Sequence, residues 1–384
     1  MKRIIFIIFI CLFMLINLNA ADIAPYAKSA ILVEESTGKI LFEKNIDEKR
    51  SPASMTKIMT LLLTMEALDS GKISLQDDVM ISTNASSMGG TQIYAEANTK
   101  VSVENLIKGM AVASANDAAV AISEYIGGTT SNFVEMMNKK AKELGCINTN
   151  FKNPHGLDES DHYTTAYDLS LIARELIKHE QILNYTSIYE DYINVSGKQH
   201  WLVNTNKLVK LYNGIDGLKT GYTDNAKYCL TATMKKNDMR LVSVVMGEDT
   251  KEHRTTDTVS LLEYGYSMYG TNTIYKKDEY NGLIYIPNSS NREVKYYLKD
   301  DVKLVLDRDR KNVEYKTDVV LFDVKAPIKS NSKIGELKIN IDNEDHIYDL
   351  IVKEDIKKAN YFEVLANLFK DIINGKINVI FGKK

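Results

Sequence analysis

Three short blocks follow one another in the N-terminal two-thirds of the chain: Ser54-Met55-Thr56-Lys57, Ser114-Ala115-Asn116 and Lys219-Thr220-Gly221. Together they supply hydroxyls, two amines and an amide, the groups with which a serine is made to attack an acyl carbonyl. A serine is a weak nucleophile at its own pKa, so a base must take its proton. A lysine can be that base only where burial and a second cation keep its amine close to neutral. Lys57 stands three residues after Ser54, within reach on one turn of helix, and Lys219 is the candidate for the second cation.

Each block alone is a weak signal. Ser36-Thr37-Gly38-Lys39 and Ser330-Asn331-Ser332-Lys333 repeat the first pattern, and Ser82-Thr83-Asn84 and Ser289-Ser290-Asn291 repeat the second. Context separates them. Ser36 lies in a polar tetrad between two apolar runs, 30–33 and 40–42, and so reads as a hairpin turn. Ser54 follows Pro52 and opens a run of Ile58, Leu61, Leu62, Met65 and Leu68, spaced as one helical face that ends at Asp69-Ser70-Gly71. The N-terminus of such a helix also favours negative charge beside the reacting serine.

The elements around the blocks mix helices with strands. Val103 to Ala113, Ser131 to Leu144 and Thr165 to His179 have helical spacing, while Tyr228 to Met234 and Arg240 to Met246 read as strands, an α+β pattern that changes near residue 272. Beyond Lys276 come alternating segments, 294–298, 302–306, 319–324, 337–341 and 347–352, divided by charged or Asn-rich turns, which predict a small all-β domain. In the last thirty residues Tyr361, Val364, Leu365, Leu368, Phe369, Ile372 and Ile373 recur at helical spacing among lysines, an amphipathic helix suited to a membrane surface or to the side of the β domain.

Composition narrows the class. A chain of 384 residues, 44% hydrophobic, can bury one large core and a second smaller one, and a net charge of −3 gives no basic surface bias for nucleic acid. Lys2-Arg3, an apolar run from Ile4 to Ile16 and small residues to Ala21 read as a secretory signal over residues 1–21, so the body is expected to be exported. Cys11 falls within it. Cys146 and Cys229 could form one disulfide, but two buried thiols is the reading favoured here. The six histidines show no metal-ligand spacing and read as surface or loop residues. No metal or cofactor is expected.

The chain resembles the D-alanyl-D-alanine carboxypeptidases, the low-molecular-mass penicillin-binding proteins among serine peptidases. The likeness rests on the three blocks and on further matches: Phe151-x-Asn153-Pro154-His155-Gly156-Leu157, His162-Tyr163-Thr164-Thr165-Ala166-x-Asp168-Leu169, and Arg254 ahead of Leu261-Leu262-x-Tyr264-Gly265. It implies a transpeptidase/β-lactamase-like catalytic domain over 22–272, a β-rich domain over 273–353 and an amphipathic membrane-surface helix over 354–384, at the outer face of the cytoplasmic membrane.

It also implies roles. Ser54 would attack the penultimate D-alanine of a peptidoglycan stem peptide, with Lys57 as base and Ser114 relaying the proton to the departing amine. Asn116 would hold the substrate amide, Lys219 would supply charge, and Thr220 and Arg254 would bind the terminal carboxylate. Backbone N–H groups of Ser54 and Tyr222, the latter just after Gly221, would form the oxyanion hole, and β-lactams would inhibit. His155 and His162 have no catalytic task in this scheme.

Two other readings compete. Glu180-Gln181-Ile182-Leu183-Asn184 fits a pattern found around the deacylating glutamate of class A β-lactamases, though it stands closer in sequence to Lys219 than to Ser114. A non-catalytic sensor would keep the fold but commonly loses one of Ser54, Lys57, Asn116 or Lys219.

Overall fold

A computed structural model of the chain describes residues 23–310, 314–341 and 344–373, without the side chains of 344 and 370–373. The expected signal segment and the tail beyond residue 373 lie outside the described residues. The chain divides into two compact units, the first ending at Tyr269 and the second beginning at Gly270.

The first unit is built on a five-stranded antiparallel sheet in the order β2-β1-β9-β8-β7. Its strands are β1 (Ser29–Glu34), β2 (Ile40–Lys44), β7 (Ile215–Thr223), β8 (Lys227–Lys236) and β9 (Met239–Glu248). Small hairpins pair β3 (Asp78–Met80) with β4 (Lys100–Ser102) and β5 (Glu190–Val195) with β6 (Lys198–Val203). The helices are α1 (Lys57–Asp69), α2 (Val103–Lys108), α3 (Asn116–Gly127), α4 (Thr130–Glu143), α5 (Ala166–Lys178) and α6 (Lys251–Met268).

Alternation along β9 assigns the two faces of the sheet. Val242, Val244 and Met246 join the main core with residues of α1, α3 and α5. Leu241 points the other way and meets α6 at Gly265, where a Cβ would come within 2.6 Å of Leu241 and 2.8 Å of Leu32. Only a glycine lets that helix lie so close to the sheet. The Ser36 turn connects β1 to β2, with the Ser36 hydroxyl held by Glu34 at 2.9 Å, so this repeat of the first pattern is a hairpin turn.

Two helices depart from the sequence pattern. In α1 the expected single apolar face is a helix buried on all sides, from Lys57 through Met65. Its polar positions are satisfied internally: Thr60 donates to Pro154 O at 2.6 Å and Thr64 to Thr60 O at 2.7 Å. The helix expected from Val103 to Ala113 is regular only to Lys108. Gly109–Ala113 then widen into a π-helical turn, and Ser114 follows in the left-handed region at φ +67. Ala115 N–H closes the turn on Gly109 O at 3.0 Å. Apolar spacing cannot reveal a change of helical pitch, because the same side chains remain buried through it.

In the second unit β10 (Tyr269–Tyr275) pairs with β13 (Val302–Asp307). A five-stranded sheet runs β11-β12-β16-β15-β14, from β11 (Asn281–Tyr285), β12 (Glu293–Leu298), β14 (Lys316–Leu321), β15 (Lys333–Ile341) and β16 (Glu344–Ile351). Leu337, Ile339 and Ile341 alternate along β15 into a core with Leu298, Val302 and Leu350. A final helix, α7 (Tyr361–Ile373), starts at a capping box in which Asn360 and Glu363 exchange side-chain to backbone hydrogen bonds of 2.8 and 3.0 Å. Tyr361, Phe362 and Phe369 on it are exposed. No helix among the described residues is long and apolar enough to cross a membrane.

Candidate active site

Ser54 sits in a 3₁₀ turn, Ala53–Thr56, that feeds directly into α1. Ala53, just before it, holds φ +47, a left-handed conformation that costs an alanine about 1 kcal/mol and turns the serine outward. One turn on, the Lys57 amine lies 3.1 Å from Ser54 Oγ and donates to Asn116 Oδ1 at 2.7 Å and His155 O at 2.8 Å. With the amine neutral, its two N–H groups serve Asn116 and His155 and its lone pair is left for the Ser54 hydroxyl. The side chain is wholly buried. Burial, and then the charge of Lys219, hold its pKa well below the usual lysine range, while Asp117 opposes them. An amine in that state can accept a proton from the hydroxyl it touches.

Two glycines let neighbouring segments press against the serine turn. At Gly156, φ +88, a Cβ would lie 1.8 Å from Ala53 O; at Gly221 of β7 it would lie 2.9 Å from Pro52 O and 3.1 Å from Ala53 Cβ. The Asn153–Leu157 loop is fixed by Gly156 N–H donating to Asn153 Oδ1 at 2.7 Å and Leu157 N–H to His155 Nδ1 at 3.2 Å. It thereby aims His155 O at Lys57. The motif around Asn153 was part of the resemblance, and its task, delivering a carbonyl to the lysine, becomes visible only in the fold.

Asn116, expected to grip a substrate amide, commits its carbonyl to Lys57 and one N–H to Gly89 O at 2.8 Å, leaving a lone pair and one N–H. The next residue, Asp117, is a positioning group that sequence reasoning missed. Its buried carboxylate accepts N–H groups of Ile93 at 3.1 Å and Ala95 at 3.1 Å, and Asn116 N–H bonds Thr91 O at 2.7 Å. The 89–95 loop is so pinned beside the site. The available signal was an acidic residue in the first turn of α3, directly after the second block.

A cleft of about 910 Å³ opens over these groups, lined among others by Ser54, Ser114, Thr205, Thr220, Tyr222 and Arg254. Lys57, Asn116 and Lys219 are buried and are not among its lining residues. Lys219, on β7, is pushed down to about 7 by burial and then by Arg254. Thr220 donates to Thr205 Oγ1 at 2.7 Å, and Thr205 N–H is held by Val112 O at 3.1 Å, which makes Thr205 a second residue the sequence did not single out. Arg254 projects from α6 and is buried, with its Nε lacking a hydrogen-bond partner among the described residues. A buried guanidinium beside a cleft is suited to a planar carboxylate. Tyr222 is half exposed, and its hydroxyl bonds Asp224 at 3.0 Å, away from the reacting atoms.

Other expectations resolve as follows. Glu180 is exposed in a 3₁₀ turn after α5 and does not line the cleft. Cys146 and Cys229 are both buried and free, their thiols pushed up to about 12 chiefly by burial. Of the surface-or-loop reading, His155 and His162 bear out the loop half, and both are buried rather than exposed. Burial, the larger cause for both, lowers His155 to about 3 and His162 to about 4. His162 Nδ1 accepts Lys152 N–H at 3.1 Å, so the neutral ring carries its proton on Nε2 and donates to Thr56 Oγ1 at 2.8 Å. Uncharged imidazoles tolerate burial because both nitrogens can be satisfied.

Comparison with known proteins identifies relatives of both parts of the chain. A sequence profile of D-alanyl-D-alanine carboxypeptidases matches residues 17–250, and one of the penicillin-binding protein 5 C-terminal domain matches residues 269–358. The D-alanyl-D-alanine carboxypeptidase DacF of Bacillus subtilis is 42% identical over 356 residues, 92% of either chain. DacA of Haemophilus influenzae is 35% identical over 88% of this chain and 86% of its own. The solved penicillin-binding protein 5 from Haemophilus influenzae aligns at TM-score 0.70 and 31% identity, covering 87% of this chain and 98% of that one. Penicillin-binding protein D2 from Listeria monocytogenes, in its ampicillin-bound form, aligns at TM-score 0.57 and 33% identity over 63% of this chain and 98% of that one.

Proposed function

The chain belongs to the D-alanyl-D-alanine carboxypeptidase family and is a serine-type carboxypeptidase, and on that basis we propose that Ser54 is its nucleophile and Lys57 its base. The observation that carries this is the 3.1 Å contact between the Ser54 hydroxyl and a lysine amine that is wholly buried and held toward neutrality. In the proposed reaction the Ser54 proton passes to Lys57 as Oγ bonds to the carbonyl of the penultimate D-alanine. The developing oxyanion takes hydrogen bonds from the backbone N–H groups of Ser54 and Tyr222. Such a donor is worth about 100- to 1,000-fold in turnover. Ser114, on the cleft wall, relays the proton to the leaving amine. As the C–N bond breaks, D-alanine departs and leaves an ester on Ser54, which water hydrolyses.

Recognition follows from charge. The terminal carboxylate of the stem peptide meets Arg254 and Thr220 on the cleft wall, with the charge of Arg254 also felt by the buried Lys219. Asn116 has one N–H and one lone pair left with which to hold the substrate amide while it orients Lys57. A β-lactam, whose strained amide mimics the acyl donor, stops at the ester stage. Incubation with a pentapeptide ending in D-Ala-D-Ala should release one alanine by mass, with Ser54→Ala inactive and unlabelled by penicillin. An active, labelled Ser54→Ala would overturn the assignment. Rapid turnover of penicillin would favour the β-lactamase reading, which the exposed Glu180 outside the cleft speaks against.

The same proposal covers where the enzyme works. Residues 1–21 direct export, residues 22–272 carry the chemistry, and the β-rich region to 353 leads to a C-terminal helix that lies on the outer face of the cytoplasmic membrane. The exposed Tyr361, Phe362, Val364, Leu365, Leu368 and Phe369 of α7 support the last step. Co-sedimentation of the enzyme with phospholipid vesicles, lost on deletion of 354–384, would test it.

A further inference from the structure

The segment Ala24–Ala27 lies across the first turns of α6, the helix that carries Arg254. Tyr26 and Ala27 both donate their backbone N–H groups to Asp257 Oδ2, at 2.9 and 2.8 Å. The Tyr26 ring stacks on His253, with centroids 3.7 Å apart and planes 2° from parallel. From β2, Lys44 Nζ closes the strap by donating to Ala24 O at 2.7 Å and Pro25 O at 3.2 Å. Ala24 and Ala27, the two ends of the strap, are buried.

Arg254 therefore sits between two gripped residues of its own helix, His253 beside it and Asp257 one turn on. Its own side chain has less to hold it, since the buried Nε has no hydrogen-bond partner among the described residues. The position of its guanidinium is thus set largely by where the first turns of α6 lie. Two-point recognition of a carboxylate is sensitive to small displacements of the cation. The stack also lies behind the cleft, because the adjoining residues Lys251, Glu252, Thr255 and Thr256 line it while Tyr26, His253 and Asp257 do not.

We propose that Ala24–Ala27 is a positioning strap for Arg254, through the Tyr26–His253 stack and the Asp257 clasp, and that it sets how tightly the enzyme holds a substrate's free terminal carboxylate. This rests on the carboxylate-binding role given to Arg254 above. Tyr26, His253 and Asp257 are positioning residues, and none of them reaches the reacting atoms.

The test compares the full-length enzyme with Tyr26→Ala and Tyr26→Phe on two peptides, one ending in D-Ala-D-Ala as the free acid and one as the terminal carboxamide. Tyr26→Ala should raise KM for the acid about tenfold, the scale of a weakened charge-assisted contact, with kcat within about twofold and little change for the amide. Tyr26→Phe, which keeps the stacked ring, should restore the wild-type KM. Hydrogen exchange should quicken across residues 251–257 in Tyr26→Ala and not in α1. Equal effects on acid and amide, a fall in kcat alone, failure of Tyr26→Phe to rescue, or unchanged exchange in 251–257 would overturn the proposal. Should wild-type enzyme release no alanine from the acid, the carboxypeptidase assignment fails instead, and calorimetric binding of the two peptides with the exchange data still decides the strap.

Discussion

Replacing Asn116 by aspartate tests the central claim, that Lys57 works as a neutral amine. The Asn116 carbonyl lies 2.7 Å from Lys57 Nζ, so Asn116→Asp puts a carboxylate there with almost no change of shape. At 2.7 Å two unit charges attract by about 1.5 kcal/mol in water but about 6 kcal/mol at an effective dielectric of about 20. Lys57 is wholly buried, so the larger figure governs. About 6 kcal/mol is a factor of roughly 10⁴ in the ratio of ammonium to amine. Single-turnover acylation by a fluorescent penicillin, followed from pH 5 to 10, should fall at least about 1,000-fold near neutrality, and its rising limb should move far to the alkaline side. Asn116→Ala removes the same acceptor without adding charge, and should lose about 10- to 100-fold with no alkaline displacement. Equal losses in the two variants, or an unmoved pH profile in Asn116→Asp, would refute the neutral-amine reasoning.

Gly221→Ala would drive a methyl to 2.9 Å from Pro52 O and 3.1 Å from Ala53 Cβ, prising β7 from the serine turn. It should cost about 1–3 kcal/mol in urea unfolding and slow acylation more than it lowers stability would explain. Gly156→Ala is harsher, at φ +88 with a Cβ 1.8 Å from Ala53 O, and should fail to give a folded protein by circular dichroism. Glu248, buried at the end of β9, is pushed up to about 8 by burial first and then by Asp257. A carboxyl raised in the folded state has its full stability below the unfolded carboxylate range and loses it as pH climbs through about 8. Stability should therefore decline between about pH 5 and 8, by at most about 1.4 kcal/mol per pH unit and read as a falling melting temperature, and Glu248→Gln should flatten that decline; an unchanged slope would contradict the raised Glu248 carboxyl.

What the chain declares by itself is what depends on neighbours in sequence. The three-residue spacing of Ser54 and Lys57 puts them on one helical turn, a polar tetrad between apolar runs makes Ser36 a hairpin turn, and alternation at Leu337, Ile339 and Ile341 marks a strand face. Helical period and strand alternation are local properties, so composition and spacing carry them. Pattern and structure part at the all-round burial of α1 and at the widened turn of 109–113, where apolar spacing reads the same whatever the pitch or the number of faces covered.

The chemistry of the site belongs to the tertiary structure. Nothing near Lys57 in sequence says that its amine is dry, or that His155 O, Asn116 and Lys219 surround it. Those groups come from residues separated by long stretches of chain. Thr205 and the Tyr26 strap are silent in sequence, and the sequence shows Gly156 and Asp117 without their tasks, since each acts through a contact that exists only when distant segments close on one another. A residue's type fixes which proton it can carry, but desolvation and the field of its neighbours fix whether it carries it, and both are properties of the folded interior.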